Sequence, residues 1–263
     1  MSTHLLFDLL IIGHITTGAP GLISFWVPVL SRKGSRNHKF WGKAFTVMML
    51  ITGSIAAAMA SMTLAFPVTT HPQLMSHPEF SDPALIRGIF GWMMLYLAIL
   101  TINLAWYGWL AVRNKRDHAA NMAWHNVGLQ IILSIASVNC AVQGLIIGQW
   151  MMVGISFVGF ATVGTNLWFM LNRKPTPRTW LLEHIKALIG TGISVYTAFF
   201  AFGAVRYIPQ LALNPVLWAV PLITGLALIV YHQYKVRQMM PLSPSRASST
   251  TDAPAKPTQV PAE

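Results

Sequence analysis

The sequence predicts an all-α membrane protein, a bundle of seven transmembrane helices. Of its 263 residues 54 % are hydrophobic and 10 % are charged, whereas about a quarter of a soluble domain is usually charged. Its 18 Lys and Arg against 7 Asp and Glu stand in short clusters between long apolar runs, as is typical of membrane proteins. Nucleic-acid binding would need that charge on one exposed face, so no nucleic-acid partner is predicted.

Seven runs are long enough to cross a bilayer. A helix needs about 20 apolar residues to span a hydrocarbon core of about 30 Å. The runs are Leu5–Leu30, Trp41–Phe66, Ala84–Val112, Ala119–Gln143, Gln149–Leu171, Trp180–Val205 and Asn214–Tyr234.

The connections between these runs alternate in basic content. The first, third and fifth connections and the segment after the seventh run are rich in Lys and Arg. The second and fourth connections have none, and the sixth has only Arg206. Because short basic loops stay cytoplasmic, the N-terminus is predicted outside and the C-terminus inside. No cleavable signal peptide is expected, since the first four residues lack Lys and Arg.

The chain divides into two parts. Residues 1–239 are predicted to form one seven-helix transmembrane domain. Residues 240–263 hold five prolines among Ser, Thr and Ala, which predicts a disordered cytoplasmic tail. Prolines also fill the second connection, Pro67–Pro83, where an outer loop without regular structure is expected. The single cysteine, Cys140, excludes a disulfide or a CxxC metal motif within the chain, and no metal site is predicted.

Ionisable groups within a bilayer are costly, so each one is a functional hypothesis. His14 lies about ten residues into the first run, near mid-depth at about 1.5 Å per residue. Thr17, Gly18 and Gly21 share its face and leave room for a neighbouring helix, a substrate or a flat cofactor. The alternative is a histidine that hydrogen-bonds across helices and fixes their packing.

The fourth run carries a polar stripe at spacings of three and four. Its members are His118, Asn121, His125, Gly128, Ile132, Ala136, Asn139 and Gln143. Such a face is expected to point into the bundle. It predicts a pore or cavity lined by Asn121, Gly128, Asn139 and Gln143, with helix packing through small and amide side chains as the alternative.

Histidines also recur at the cytoplasmic boundary. His125 and His184 follow basic connections by similar distances, which predicts one depth for both, and His38 precedes the second run on the same side. Two imidazoles at one depth are what bis-histidine haem ligation or a small metal site requires. The preference of histidine for the headgroup zone is the alternative. The candidate cofactor ligands are His125, His184, His14 and His38.

The sixth run also opens with a carboxylate and a lysine. Glu183 and Lys186 are three residues apart, a spacing at which side chains on a helix meet. They are expected to form an ion pair.

The first helical hairpin resembles the DUF2306 family of bacterial membrane proteins. The resemblance covers Gly13 to Ala60, and TINLAWYGWLAVRNK resembles the family's next element more loosely. It is carried by His14 with Gly18, Lys33 with Gly34, and His38 followed by Gly42 and Lys43. The family has no assigned function, so the resemblance implies a multi-pass protein of the bacterial inner membrane and marks these positions without giving them roles.

The leading functional hypothesis is a membrane redox component that binds haem b or a quinone between helices near the inner face. One alternative is a small-solute or proton-coupled transporter, with a path lined by His14, Asn103, Asn139 and Gln143. Another is a non-catalytic assembly or interaction protein. Expected partners are the bilayer and anionic lipid at the basic loops, and a homo-oligomer or a membrane partner protein is left open.

Overall fold

The computed structural model confirms the predicted fold class. It describes residues 3–76, 81–203 and 215–238, and within these ranges the regular structure is helical, with no strand. Seven helices in this part of the chain are long and apolar enough to cross a membrane. They are α1 (Thr3–Leu30), α2 (Arg36–Ala65), α3 (Pro83–Asn114), α4 (Trp124–Ile146), α5 (Trp150–Leu171), α6 (Thr179–Gly203) and α7 (Pro215–Gln238).

Helix α4 begins later than predicted. A separate turn of helix, His118–Asn121, is capped by the Asp117 carboxylate, which accepts a 3.0 Å hydrogen bond from the backbone N–H of Ala120. The chain then breaks, because Ala123 has the extended backbone angles φ −55° and ψ 142°. The short helix and α4 are therefore not one continuous cylinder.

The second connection also differs from the sequence prediction, because it contains the short helices Pro67–Thr70 and Pro72–Ser76. Helix α6 is described as far as Gly203, and its segment Phe199–Gly203 is π-helical. The predicted tail, residues 240–263, lies outside the described residues.

Helix α3 lies at the centre of the bundle and packs against α2, α4 and α6. Helix α6 also contacts α7 and α1, and α5 packs on α4. Half of the most apolar window of α3 is buried, against 11 % for α1 and 17 % for α7. Polar groups on α3 and α6 are therefore the best shielded from lipid.

Close helix approach in the core depends on a glycine. A Cβ on Gly159 of α5 would lie 2.1 Å from Ser137 Oγ on α4 and 2.9 Å from the Tyr96 ring on α3. The Tyr96 hydroxyl in turn donates a 2.7 Å hydrogen bond to the backbone carbonyl of Ile155. Interfaces between membrane helices depend on such small residues, since lipid supplies no hydrophobic drive for association.

The alternating helix directions give the bundle two distinct ends. We call "basic end" the end that carries the connections after α1, α3 and α5 and the last turn of α7. At this end Lys33 Nζ donates hydrogen bonds of 2.9 and 2.6 Å to the carbonyls of Pro28 and Val29. These carbonyls belong to the last turn of α1, where helical partners run out, so Lys33 caps the helix.

Candidate functional site

Two of the predicted histidines meet at the basic end. His38 stands in the first turn of α2 and His184 in the second turn of α6. Their ring centroids are 6.5 Å apart, with an angle of 70° between the ring planes. Both side chains are half-buried. The structure thus brings together His38 and His184, two of the four candidate cofactor ligands.

Each imidazole of this pair is anchored through Nδ1 to a backbone carbonyl. His38 Nδ1 lies 3.0 Å from the Pro28 carbonyl of α1, and His184 Nδ1 lies 2.9 Å from the Gly108 carbonyl of α3. A carbonyl can only accept a hydrogen bond, so Nδ1 must carry the proton in both rings. In the neutral rings Nε2 is therefore the nitrogen with the free lone pair.

Local sequence explains how these anchors arise. The Ser35 hydroxyl caps α2 by accepting a 3.2 Å hydrogen bond from the backbone N–H of His38. The cap fixes the first turn of α2 beside the last turn of α1. There the Pro28 carbonyl, which has no helical partner, accepts from the imidazole.

The surroundings of the histidine pair are positively charged. Lys33 lies within electrostatic range of both His38 and His184, and Lys39 also acts on His38. Partial burial and the nearby Lys235 ammonium lower the pKa of Lys33 from its ordinary value. His232 on α7 faces the same charges. This concentration of positive charge is suited to a ligand that carries anionic groups.

Next to His184, the predicted Glu183–Lys186 ion pair is confirmed. Lys186 Nζ and Glu183 Oε2 are 2.5 Å apart, and the Glu183 side chain is 10 % exposed. The same Oε2 accepts a 2.8 Å hydrogen bond from the Tyr107 hydroxyl, and Lys186 also donates to Thr165 Oγ1 at 2.9 Å. The carboxylate and the ammonium thus neutralise each other and link α3, α5 and α6.

A second polar cluster lies where α3, α4 and α5 meet. Asn166 Nδ2 donates to Asn103 Oδ1 at 3.2 Å and to Gln130 Oε1 at 3.3 Å. Asn103 Nδ2 donates in turn to the Leu129 carbonyl at 3.3 Å. All three amide side chains are buried. We call Asn103, Gln130 and Asn166 the amide cluster.

The predicted pairing of His125 with His184 is not seen. The His125 ring contacts Trp124 and Trp106 at centroid distances of 5.7 and 6.5 Å, and no ring contact joins it to His184 within the described residues. His125 is exposed and lines a shallow apolar groove on the bundle surface. Helix α6 packs against α3, so α3 separates it from α4.

The predicted inward stripe of the fourth run also needs correction. His125 and Ile132 are exposed, and the buried side chains of α4 begin one residue later. The buried series is Asn126, Gln130, Leu133, Ser137, Cys140 and Gly144. The break between Asn121 and Trp124 changes the helical phase, so Asn126 continues the buried face instead of His125.

The four predicted lining residues do not share one cavity. Asn121 is buried, and its Nδ2 donates a 3.4 Å hydrogen bond to the Lys115 carbonyl. Gly128 lines the surface groove beside His125. Asn139 and Gln143 are half-buried further along α4. The structure thus places these four residues in three different surroundings.

His14 faces α2 within the bundle. Its neighbour Thr17 accepts a 2.8 Å hydrogen bond from the Thr52 hydroxyl of α2, and His14 itself lies beside Thr52. A Cβ on Gly21 would lie 2.2 Å from Met49 Cε. Helix α2 therefore packs beside His14, but His14 Nδ1 is buried without a hydrogen-bond partner among the described residues, so the cross-helix hydrogen bond of the packing alternative is not seen through this atom.

Sequence reasoning missed four members of these clusters: Tyr107, His232, Gln130 and Asn166. Asn166 carried a usable signal, because it is the one amide among the apolar and small residues of α5. A buried amide in a membrane helix needs a partner on another helix. Tyr107 carried no comparable signal, since tyrosines are common near membrane interfaces.

The donor set at the basic end fits one class of cofactor. Within the described residues no three His, Cys, Asp or Glu side chains are arranged to hold a metal ion. A bare zinc ion usually needs three or four protein ligands. Haem supplies four ligands from its own ring and needs only axial ligands from the protein, so the His38–His184 pair matches it.

The seven long apolar helices identify this chain as a multi-pass membrane protein, with a half-buried imidazole pair at its basic end. No family model, no curated protein and no solved structure matches this chain.

Proposed function

We propose that this protein is a membrane redox component that binds b-type haem at the basic end, with His38 and His184 as the two axial ligands. The observation that carries the proposal is the carbonyl anchoring of both Nδ1 atoms. Histidines that bind metals almost always donate the other ring N–H in this way, which fixes the tautomer and the ring orientation.

The charge at the basic end supports the same ligand. Haem carries two anionic propionate groups, and the positive charges of Lys33 and Lys39 act on His38 while Lys235 lies near Lys33. The paired Glu183 is already neutralised by Lys186, so it does not repel those carboxylates. When bound, haem supplies reversible one-electron transfer, and two histidine ligands leave no position open for oxygen.

The test is an absorption spectrum of the purified full-length protein. We expect a Soret band that shifts on addition of dithionite. His38→Ala and His184→Ala each lower the haem content at least about tenfold, the lower end of the range for the loss of even an outer-shell partner at a metal site. His232→Ala is the matched control, since this neighbouring histidine is not a ligand in the proposal and its variant retains haem.

A conservative variant separates ligation from folding. His184→Met keeps an axial donor, so the haem is expected to stay bound with an altered spectrum and a higher midpoint potential. Wild-type protein that shows no Soret band, even after incubation with haemin, contradicts the proposal. Full haem content in both alanine variants contradicts the assignment of the ligands.

The other sequence-based hypotheses make different predictions. In the quinone alternative, the quinone would bind in the apolar groove beside His125, which opens toward the lipid. For the transporter alternative, no hydrogen bond joins any two of His14, Asn103, Asn139 and Gln143 within the described residues. The assembly alternative predicts that His38→Ala and His184→Ala lower the melting temperature of a protein that never carries a cofactor.

The remaining partner proposals concern the membrane surface. Large apolar side chains cover the outside of the helices, among them Ile23, Phe157 and Trp168, so the bundle contacts lipid. We propose that the basic connections also bind anionic lipid headgroups of a bacterial inner membrane. The resemblance of the first hairpin to the DUF2306 family, and assembly with a second copy or a partner protein, likewise stay predictions.

A further inference from the structure

The amide cluster contains more acceptors than its own donors satisfy. Asn166 has an exposed fraction of 0 % and Gln130 of 3 %. Within the described residues, Asn166 Oδ1 has no hydrogen-bond partner although the atom is inaccessible to solvent. A buried polar atom left unpaired costs about 1–3 kcal/mol, so such an atom in a membrane protein needs an explanation.

The cluster is also loosely bonded. Its three hydrogen bonds measure 3.2, 3.3 and 3.3 Å, whereas N–H···O bonds in proteins centre near about 2.9–3.0 Å. Asn166 Nδ2 stands between Asn103 Oδ1 and Gln130 Oε1, which belong to two other helices. The single amide nitrogen therefore occupies a point at which two oxygens converge.

A rotation of one side chain turns this arrangement into an oxygen cage. When the Asn166 carboxamide turns by half a revolution about its last torsion angle, Oδ1 takes nearly the place of Nδ2. The Asn166 oxygen then stands about 3.2 Å from Asn103 Oδ1 and about 3.3 Å from Gln130 Oε1, so amide oxygens from three helices converge on it. That torsion is broad and roughly two-fold, so the rotation needs no change of rotamer elsewhere.

We propose that the amide cluster binds a sodium ion between α3, α4 and α5. Hard cations take oxygen ligands, and carbonyl groups inside membrane helix bundles coordinate sodium in transporters. The cluster contains no carboxylate, and taking charge out of water is costly, so a monovalent ion is favoured over a divalent one. The short separation of the oxygens favours sodium over the larger potassium ion.

The test is the ion dependence of thermal unfolding of the full-length protein in detergent, followed by tryptophan fluorescence. Sodium chloride is titrated against choline chloride at constant ionic strength. Sodium is expected to raise the melting temperature by several degrees once it exceeds its dissociation constant about tenfold, and the rise then continues with the logarithm of its concentration. Potassium is expected to raise it less, and choline to leave it unchanged.

Variants locate the ion within the molecule. Asn166→Leu and Gln130→Met each remove one oxygen with little change of volume, and both are expected to abolish the sodium-dependent rise. Asn139→Leu is the matched control, because this half-buried amide on α4 is outside the cluster, and its variant keeps the rise.

Two results would overturn the proposal. Equal melting temperatures of the wild type in sodium and in choline would mean that only water meets the free amide oxygen. A sodium-dependent rise that persists in Gln130→Met would place the ion elsewhere. Where a cluster variant fails to fold, the wild-type comparison still decides, since a rise in sodium that potassium does not match is expected only of a site of defined size.

Discussion

The two ends of the bundle use histidine in different ways. At the basic end, His38 and His184 are each held by a carbonyl at Nδ1. At the opposite end, His71 lies between the rings of Phe7 and Phe90, at centroid distances of 5.4 and 4.8 Å. Its Nδ1 is 3.0 Å from the Thr70 hydroxyl, which donates its own proton to the Phe66 carbonyl at 2.9 Å and therefore accepts from His71.

Nδ1 donates in all three histidines, so the difference lies in what surrounds each ring: basic side chains at one end and two aromatic rings at the other. A carbonyl partner leaves Nε2 with a free lone pair that can bind a metal. A hydroxyl partner between two aromatic rings leaves a ring that serves as apolar packing. The basic end is therefore expected to respond to haem, and the opposite end to acid.

The largest expected effect is acid destabilisation of the opposite end. Burial lowers the pKa of His71 from 6.5 to about 4, so the folded protein resists protonation that the unfolded chain accepts. The stability from a neutral His71 is fully present above about pH 6.5 and is lost as the pH falls toward 4. The loss amounts to about 3 kcal/mol.

The measurement is the melting temperature in detergent between pH 7 and pH 4 (roughly the interval set by these two pKa values). His71→Phe places a third ring between Phe7 and Phe90 and removes the titrating group. We expect its melting temperature to fall less with acid than that of the wild type. Parallel curves for the two proteins would show that other groups dominate acid sensitivity.

The second prediction concerns the helix contact that positions His184. A Cβ on Gly108 would lie 2.7 and 2.9 Å from Leu188 Cδ2 and Cγ on α6. Gly108→Ala therefore forces α3 and α6 apart at the residue whose carbonyl anchors His184. We expect a loss of about 1–3 kcal/mol of stability, as for overpacked cores, together with a lower haem content.

Two further glycine variants make that result specific. Gly91→Ala crowds Leu64 at the opposite end, where a Cβ would lie 2.5 Å from Leu64 Cδ2, so it lowers stability without changing haem content. Gly128→Ala meets nothing within 4 Å and is expected to be neutral or stabilising, because alanine favours helix. If the Gly108 and Gly91 variants contain equal amounts of haem, haem binding does not depend on the α3–α6 contact and this prediction is wrong.

The sequence was sufficient for the features that are local. Length and hydropathy predicted all seven spans, because a bilayer imposes about the same apolar length on every helix. The Glu183–Lys186 pair followed from i,i+3 spacing on one helix. His38 and His184 were both named as candidate ligands, since each stands near a basic connection.

The partners across helices were not predictable in the same way. Whether His184 meets His38 or His125 depends on which helices are neighbours and on how each is rotated, and neither follows from depth. In the fourth run, the two-residue break after Asn121 moved the buried face from His125 to Asn126. The stripe had assumed one continuous helix, and this assumption placed its later residues one or two positions before the residues that are buried.

The smallest expected effect compares one helix cap at each end. Ser35 Oγ accepts from the backbone N–H of His38 at 3.2 Å, and Asp82 Oδ1 accepts from that of Ala84 at 2.8 Å. Ser35→Ala and Asp82→Ala should each cost about 1 kcal/mol. Fraying of the first turn of α2 displaces His38, so only Ser35→Ala is expected to weaken haem binding. Haemin titrations and melting curves of the two variants measure both quantities, and equal haem affinities would mean that the cap of α2 does not position the ligand.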